Sequence, residues 1–339
     1  MTEYRRKIGG KTVAGAILQD WNDLKGAAIW GSLLMGNGAS INIWSKFGYK
    51  SLFKKAEPSL SSAAKIIFDR LNTTNFELAL KVTHHATLVD EALTRDISES
   101  RKLHEEIRLA LFDAVRALHI PHADLGEDLL AKVALILGRH QYVYTTNYDL
   151  IPYWATMATE ETKYRIKDMF WSKPSYVFDR SDSGVYGSAT IVHYLHGGIH
   201  LWINPTAGQC GKWVLDEGSL LEEGHFKAHP DRVPLLISEA DSKQKASAIG
   251  ESDYLRFSFE RLMNDHNNLV VFGSSLSEVD DHIIKAIKLG PRRHVAISMR
   301  RDDATEAEQA RLRERLAPHS AYFFDSSSHP LGSSALNKG

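Results

Sequence analysis

The sequence predicts an α/β fold whose mostly parallel, doubly wound sheet carries a helical insertion between its first and second strands. Strand-like apolar runs alternate with helical patterns over most of the 339 residues, as they do in parallel βαβ units. Four of these runs end in small or ionisable residues: Leu33 to Ser40, Tyr142 to Asp149, Ile191 to Gly198 and Leu269 to Ser275. Because ligands of open α/β sheets bind beyond the carboxyl ends of the strands, these four ends predict one shared cleft.

The composition argues against several classes of protein. The 41 basic and 42 acidic side chains give a formal net charge of −1, which offers no basis for nucleic-acid or polybasic membrane binding. A single cysteine, Cys210, excludes an internal disulfide and any site made of several thiolates in this chain. The first ten residues lack the apolar core of a secretory signal, and no apolar run is long enough to span a membrane. We therefore expect a cytoplasmic protein without a membrane partner.

The first predicted strand leads into a glycine-rich turn. A leading helix is expected over residues 10–27, followed by a buried strand over residues 32–35 and then Gly36-Asn37-Gly38-Ala39-Ser40. The two glycines permit a positive φ and a close ligand, and a helix that starts near Ser40 would direct free N–H groups at a phosphate. A tight turn that binds nothing is the alternative. Ile41 stands where the dehydrogenase fingerprint needs a third small residue, so that fingerprint fails.

Residues 56–129 read as a helical insertion. Apolar residues recur at helical spacing in two stripes: Leu60, Ala64, Ile67 and Leu71, then Leu103, Ile107, Ala110, Ala114 and Leu118. Pro58 suits the first turn of a helix, and Pro121 follows the end of the second stripe. Five histidines lie here, namely His84, His85, His104, His119 and His122. Their spacing suits surface histidines better than metal ligands, so we expect no metal.

Two strand ends carry the candidate catalytic side chains. The run Tyr142-Val143-Tyr144-Thr145 continues into Thr146, Asn147 and Asp149, as a buried strand does when it ends at a site. The run Ile191 to Leu195 ends in His196 and two glycines, which suits a reachable base close to a substrate. A histidine held by a carbonyl in a turn is the alternative. Residues 155–190 between these runs are polar and irregular.

The last third of the chain predicts more strands and helices. Strands are expected at residues 235–237, 269–272, 294–299 and 322–325. Gly273, Ser274 and Ser275 follow the second of these, where their amides and hydroxyls suit a phosphate or a ribose. Asp280 either completes a capping box with Ser277 or joins that ligand site. A second capping box is expected at Thr305 and Glu308.

The motifs GNGAS, TTNYD, LHG and GSSLSEVD, in this order and at these strand ends, resemble those of the sirtuin-like superfamily. The resemblance is greatest to the bacterial branch that includes the NAD-cleaving effectors of Thoeris and related anti-phage systems. It covers about residues 28–54 and 130–300. It implies a Rossmann-like NAD-binding domain made of residues 1–55 and 130–339, with 56–129 inserted.

The resemblance also assigns roles to single residues. It implies that Gly36, Gly38, Ala39 and Ser40 hold the NAD diphosphate and the adjoining ribose. Thr146, Asn147 and Asp149 then lie at the nicotinamide ribose, and His196 is the catalytic histidine beside Asn147. Gly273, Ser274, Ser275 and Asp280 lie on the adenosine side.

One departure from the sirtuin pattern decides the expected reaction. Sirtuin deacylases carry a four-cysteine zinc module, which a chain with one cysteine cannot form. Water is then the expected acceptor, and the products are nicotinamide and ADP-ribose. The alternatives are a module that senses NAD or ADP-ribose without turnover, and an enzyme that transfers ADP-ribose to a macromolecule.

An effector that depletes NAD during phage infection has to be held inactive until it is needed. We therefore expect a homo-oligomer or a separately encoded activating partner, such as an ATPase or a nucleic-acid-binding protein. The helical insertion is the expected surface for that control.

Overall fold

The architecture is taken from a computed structural model of the chain. It describes residues 5–8, 11–14, 16–159, 165–172, 175–186, 189–214, 220–221, 229–237 and 242–339.

A seven-stranded parallel sheet forms the centre of the described part of the chain. Its strands are β3 (Ser32–Met35), β4 (Tyr142–Thr145), β5 (Ile166–Lys167), β6 (Thr190–Tyr194), β10 (Leu269–Phe272), β11 (His294–Met299) and β12 (Ser320–Asp325). They lie in the order β12-β11-β10-β3-β4-β6-β5, and each recorded pairing is parallel. After β3, the strands β4, β5 and β6 lie on one side of it and β10, β11 and β12 on the other, so the topological switch point lies between β3 and β10. The predicted doubly wound sheet is confirmed.

Helices cover the sheet and fill the long segment between β3 and β4. Eight lie before β4: α1 (Trp21–Ala27), α2 (Asn37–Ile43), α3 (Tyr49–Ala56), α4 (Ser62–Arg70), α5 (Phe76–Ala92), α6 (Ser98–Leu118), α7 (His122–Leu125) and α8 (Glu127–Leu137). The others described are α9 (Ile151–Thr156), α10 (Ser183–Tyr186), α11 (Ser242–Glu251), α12 (Asp253–Met263), α13 (Asp281–Leu289) and α14 (Glu306–Leu316). Residues 36–141, all of which are described, contain no strand. The members of both predicted stripes are buried or half-buried. None of the described helices is both long and apolar enough to cross a bilayer.

The predicted leading helix over residues 10–27 is wrong in its first half. Strand β2 (Lys11–Ala14) pairs antiparallel with β1 (Arg5–Ile8), and the helix begins only at Trp21. Asp20 fixes this start, because its side chain accepts a hydrogen bond from the N–H of Asn22 at 2.7 Å. Ile17, which was expected on the buried face, is 85% exposed.

A second, antiparallel sheet follows His196. Strand β7 (Gly197–Ile203) lies between β8 (Cys210–Lys212) and β9 (Val233–Leu236). The strand expected at residues 235–237 therefore exists, but it belongs to this sheet. Gly197 permits the contact, because a Cβ there would lie 1.9 Å from the carbonyl oxygen of Leu235. Gly197 thus allows β7 and β9 to approach each other, a structural role that the sequence did not indicate.

The two predicted capping boxes differ in outcome. Thr305 caps α14, since its hydroxyl accepts from the N–H of Glu308 at 3.2 Å. Ser277 makes no side-chain cap, and the carboxylate of Asp280 contacts Lys245. The capping-box alternative for Asp280 is therefore wrong.

Candidate functional site

Four strands of the parallel sheet end at the same level. Met35 pairs with Thr145 on one side and with Phe272 on the other, and Thr145 pairs with Tyr194. The residues that follow these strands therefore emerge along one edge of the sheet. This register brings together the predicted site residues from four distant parts of the sequence.

Two adjoining cavities open along this edge. The larger, about 1170 Å³, is lined by the loops that follow β10, β11 and β12. The smaller, about 490 Å³, is lined by the ends of β3, β4, β6 and β10 and by residues of the helices between β3 and β4. The wall that both cavities share consists of Ile41, Gly273, Ser274, Ser275 and Arg300.

The predicted site residues divide between these cavities and the layer behind them. Six of them line only the smaller cavity: Gly36, Thr146, Asn147, Asp149, His196 and Asp280. Gly38 lines only the larger cavity, whereas Gly273, Ser274 and Ser275 line both. Ala39 and Ser40 are buried and line neither.

The glycines after β3 and β10 allow two loops to touch. The N–H of Gly38 donates to the carbonyl of Gly273 at 2.8 Å, and the N–H of Ala39 donates to the carbonyl of Gly36 at 3.0 Å. A Cβ on Gly273 would lie 2.4 Å from the nitrogen of Ala39, and Gly273 has a φ of +72°. These N–H groups are thus engaged by protein carbonyls, as expected for the tight-turn alternative.

Asn147 is held by one end of its side-chain amide, and the other end has no partner among the described residues. Its Nδ2 donates to the carbonyl of Gly36 at 3.1 Å and to the hydroxyl of Ser40 at 2.7 Å. Because the carbonyl can only accept, Nδ2 must face it, and this fixes the orientation of the amide. The opposite atom, Oδ1, is buried and has no hydrogen-bond partner among the described residues. A buried polar atom without a partner costs about 1 to 3 kcal/mol, so a hydroxyl or a water that reached Oδ1 would bind there favourably.

Asp149 supports this arrangement from behind. Its Oδ2 accepts from the hydroxyl of Ser40 at 2.5 Å, and its Oδ1 accepts from the N–H of Ile151 at 2.9 Å. Both carboxylate oxygens therefore have protein partners. The carboxylate holds Ser40, and Ser40 in turn holds the amide of Asn147.

His196 lies deep in the smaller cavity and faces a second histidine. Its Nε2 is 2.8 Å from the Nε2 of His282, so one ring donates a hydrogen bond to the other. Burial, together with the charge of Lys245, holds the pKa of His196 well below its ordinary value. Burial likewise lowers the pKa of His282 to about 3. Both rings are therefore neutral at neutral pH.

The buried side chain of Lys245 connects Glu77 on α5 to Asp280, which lies close to His196 and His282. The Nζ of Lys245 lies 3.2 Å from Glu77 Oε1 and 3.5 Å from Asp280 Oδ1, and its side chain is fully buried. Burial raises the pKa of Asp280, and the charge of Lys245 opposes this rise. Asp280, which the resemblance assigns to the adenosine side, lies close to His196 and lines the smaller cavity.

His119, which was expected to be a surface histidine, is buried behind the same edge. Its Nε2 accepts from the N–H of Leu150 at 2.8 Å, next to Asp149. It therefore supports the turn that carries Asn147 and Asp149. None of the five histidines between α5 and α7 belongs to the group of close metal-ligating side chains found among the described residues.

Several residues of the site were missed in the sequence. Glu77 and Lys245 meet across 168 positions, and no local pattern indicates this contact. His282 has a local signal, because it is a polar residue among the otherwise apolar buried positions of α13. Arg300 to Asp303 directly follow β11 and line the larger cavity, so they repeat the pattern of ionisable residues at a strand end.

The fold and the site together define an α/β protein with a two-part cleft at the switch point of a parallel sheet. Residues 33–331 match the family described as a domain of unknown function (DUF4917), and the chain therefore belongs to that family. No curated protein matches the chain. Since the family description assigns no activity, function has to be argued from the cleft itself.

Proposed function

We propose that the chain is an NAD⁺ glycohydrolase that cleaves NAD⁺ to nicotinamide and ADP-ribose. The observation that carries this proposal is the pair of adjoining cavities, with the unpaired Oδ1 of Asn147 and the ring of His196 in the smaller one. A dinucleotide has two halves joined by a diphosphate, and it suits two cavities that share one wall. The nicotinamide ribose then occupies the smaller cavity and the adenosine the larger. The diphosphate crosses the wall at Ser274, Ser275 and Arg300.

The residue types suit this reaction. A water oxygen bonds to the anomeric carbon of the ribose while the bond to the nicotinamide nitrogen breaks. Nicotinamide leaves as a neutral molecule, and the water gives up one proton. The neutral His196 accepts this proton, and Asn147 Oδ1 accepts a hydrogen bond from a ribose hydroxyl or from the water. The transition state resembles that of glycoside hydrolysis, in which positive charge develops on the sugar.

The resemblance to sirtuin-like defence effectors supports a role in which NAD is depleted during phage infection. Such an enzyme needs to be held inactive, so the proposal includes a homo-oligomer or a separately encoded partner, such as an ATPase or a nucleic-acid-binding protein. The helices between β3 and β4 suit this control, because they contribute Glu77 to the buried contacts beside His196.

The test is to incubate the purified chain with NAD⁺ and to measure nicotinamide and ADP-ribose by chromatography. Loss of a general base typically costs about 10² to 10⁴ in rate, and we expect a loss of this size in His196→Ala. Asn147→Ala should lose activity comparably, whereas His85→Ala, an exposed change on α5, should not. Isotopically labelled NAD⁺ distinguishes hydrolysis from transfer, since transfer would leave the label on a macromolecule.

Two results would overturn the proposal. One is equal product formation by the parent and both site variants. The other is a steady NAD level both with the isolated chain and in phage-infected cells that express it. Calorimetry with ADP-ribose then separates a sensing module, which binds without turnover, from a chain that does not bind the nucleotide.

A further inference from the structure

We propose that His196, Asp280 and His282 form a binding site for a divalent transition-metal ion such as Zn²⁺. The three side chains each offer one ligand atom, and these atoms all lie within 4.8 Å of one another. The site is separate from the five histidines considered in the sequence, and it differs from the expectation that the chain binds no metal.

The donor set and its spacing suit such an ion. Two neutral imidazoles and one carboxylate are ligands that zinc and related ions accept, and zinc binds imidazole nitrogen at about 2.0 to 2.1 Å. Two nitrogens on one tetrahedral zinc therefore lie about 3.3 Å apart. The two Nε2 atoms are 2.8 Å apart, so the rings have to separate by about half an ångström. A metal ion replaces the proton that lies between the two Nε2 atoms, and the ring that carried this proton takes up one at Nδ1, so both imidazoles stay neutral.

The surroundings of the three side chains carry charges of both signs. The carboxylates of Glu77 and Asp280 both lie against Lys245, whose positive charge also acts on His196 and His282. Lys245 approaches one oxygen of Asp280 and holds the carboxylate in place, as outer partners of metal ligands do. His282 Nδ1 is also buried, without a hydrogen-bond partner among the described residues. His196 and Asp280 both line the smaller cavity, so a bound ion keeps a position open to it.

Metal binding has a consequence that rests on the proposed function. An ion on Nε2 of His196 leaves the ring without a free lone pair when Nδ1 carries the proton, so the ring cannot accept a proton from water. The metal-bound chain is then the inactive form. Metal binding itself is measured without NAD⁺, so a failure of one proposal is distinguishable from a failure of the other.

The test uses the full chain, stripped with a chelator and titrated with Zn²⁺ against a chromophoric chelator. We expect one tight equivalent in the parent, and binding at least tenfold weaker in His282→Gln and Asp280→Asn. Glutamine keeps most of the volume and the hydrogen bonding of His282 but is a poor zinc ligand, and circular dichroism checks that both variants are folded. The double variant His84→Ala/His85→Ala removes one half-buried and one exposed histidine of α5 and should retain the tight equivalent.

Co²⁺ provides a second probe, because ligation by two imidazoles produces visible absorption bands that should weaken in His282→Gln. Equal Zn²⁺ binding by the parent and His282→Gln, or loss of the tight equivalent in the His84/His85 variant, overturns the site. In the activity assay, Zn²⁺ should suppress NAD⁺ cleavage by the parent and a chelator should restore it. Tight Zn²⁺ binding that does not suppress cleavage would support the metal site and contradict the claim that the metal-bound chain is inactive.

Discussion

The hydroxyl of Ser40 connects the two polar side chains at the end of β4. It donates to Asp149 Oδ2 at 2.5 Å and accepts from Asn147 Nδ2 at 2.7 Å. Ser40→Ala removes both bonds and leaves a buried carboxylate oxygen without its donor, at a cost of about 1 to 3 kcal/mol in the free energy of unfolding. We expect kcat for NAD⁺ cleavage to fall more than KM changes, because Asn147 loses one of its two anchors.

Steady-state kinetics and urea unfolding measure the two effects of Ser40→Ala. Ser62→Ala, an exposed serine on α4, is the matched control and should leave both unchanged. Since Ser40 lines neither cavity, a rise in KM at constant kcat would instead mean that Ser40 contacts the substrate, as the resemblance implies.

His193 makes stability depend on pH. Burial and the charge of Arg261 lower its pKa to about 3 from an ordinary value of 6.5. Its ring stacks on Tyr144 at 5.4 Å, and neither nitrogen has a hydrogen-bond partner among the residues described. The unfolded chain binds a proton here below pH 6.5 and the folded chain does not. Protonation of the unfolded chain therefore lowers the free energy of unfolding as the pH falls from 6.5 towards the folded pKa. Above pH 6.5 the effect is absent and the stability is highest.

His193→Phe removes this titration and keeps an aromatic ring beside Tyr144. Titration of His193 makes the free energy of unfolding of the parent about 2 kcal/mol lower at pH 5 than at pH 8, since one pKa unit is worth about 1.4 kcal/mol. The stability gained by the variant should therefore be larger at pH 5 by about this amount. Urea unfolding at both pH values measures the difference. A gain that does not change with pH would mean that the buried ring does not titrate in this range.

At the scale of elements, the contact between the loops after β3 and β10 fixes the shared wall of the two cavities. Gly273→Ala introduces a side chain at a φ of +72° and only 2.4 Å from the nitrogen of Ala39. We expect it to separate the loops and to lower both stability and ligand affinity. Calorimetry with ADP-ribose and thermal unfolding measure the two effects.

Gly208→Ala is the matched control for this change. Gly208 has a φ of +66°, and a Cβ there would meet no described atom within 4 Å. It therefore isolates the backbone cost, about 1 to 2 kcal/mol, without any loop contact. Similar losses of stability and affinity in the two variants would show that the loop contact contributes nothing.

At the scale of the molecule, local patterns predicted the parallel sheet well because its central strands are continuous apolar runs. They failed where contacts across the chain decide the structure. Strand β5 has two residues and exists only through its pairing with β6, and β7 begins at a glycine pair that reads as a turn. The site divides in the same way. Asn147 and His196 stand at strand ends, whereas Lys245 acquires its role through a contact 168 positions away.

The helices between β3 and β4 form one side of the smaller cavity, so they should respond to a ligand there. Asn75 and Glu77 at the start of α5 line this cavity, as do Leu111 and Val115 on α6. We expect NAD⁺ or ADP-ribose to slow amide hydrogen exchange in the first turn of α5 and in residues 108–118, together with the loops after β4 and β10. Mass spectrometry of peptides measures this, with residues 84–92 at the far end of α5 as the internal control, since they line neither cavity. Protection confined to the sheet loops would mean that the inserted helices stand clear of the ligand, and control of the enzyme through them would then need a route other than direct contact.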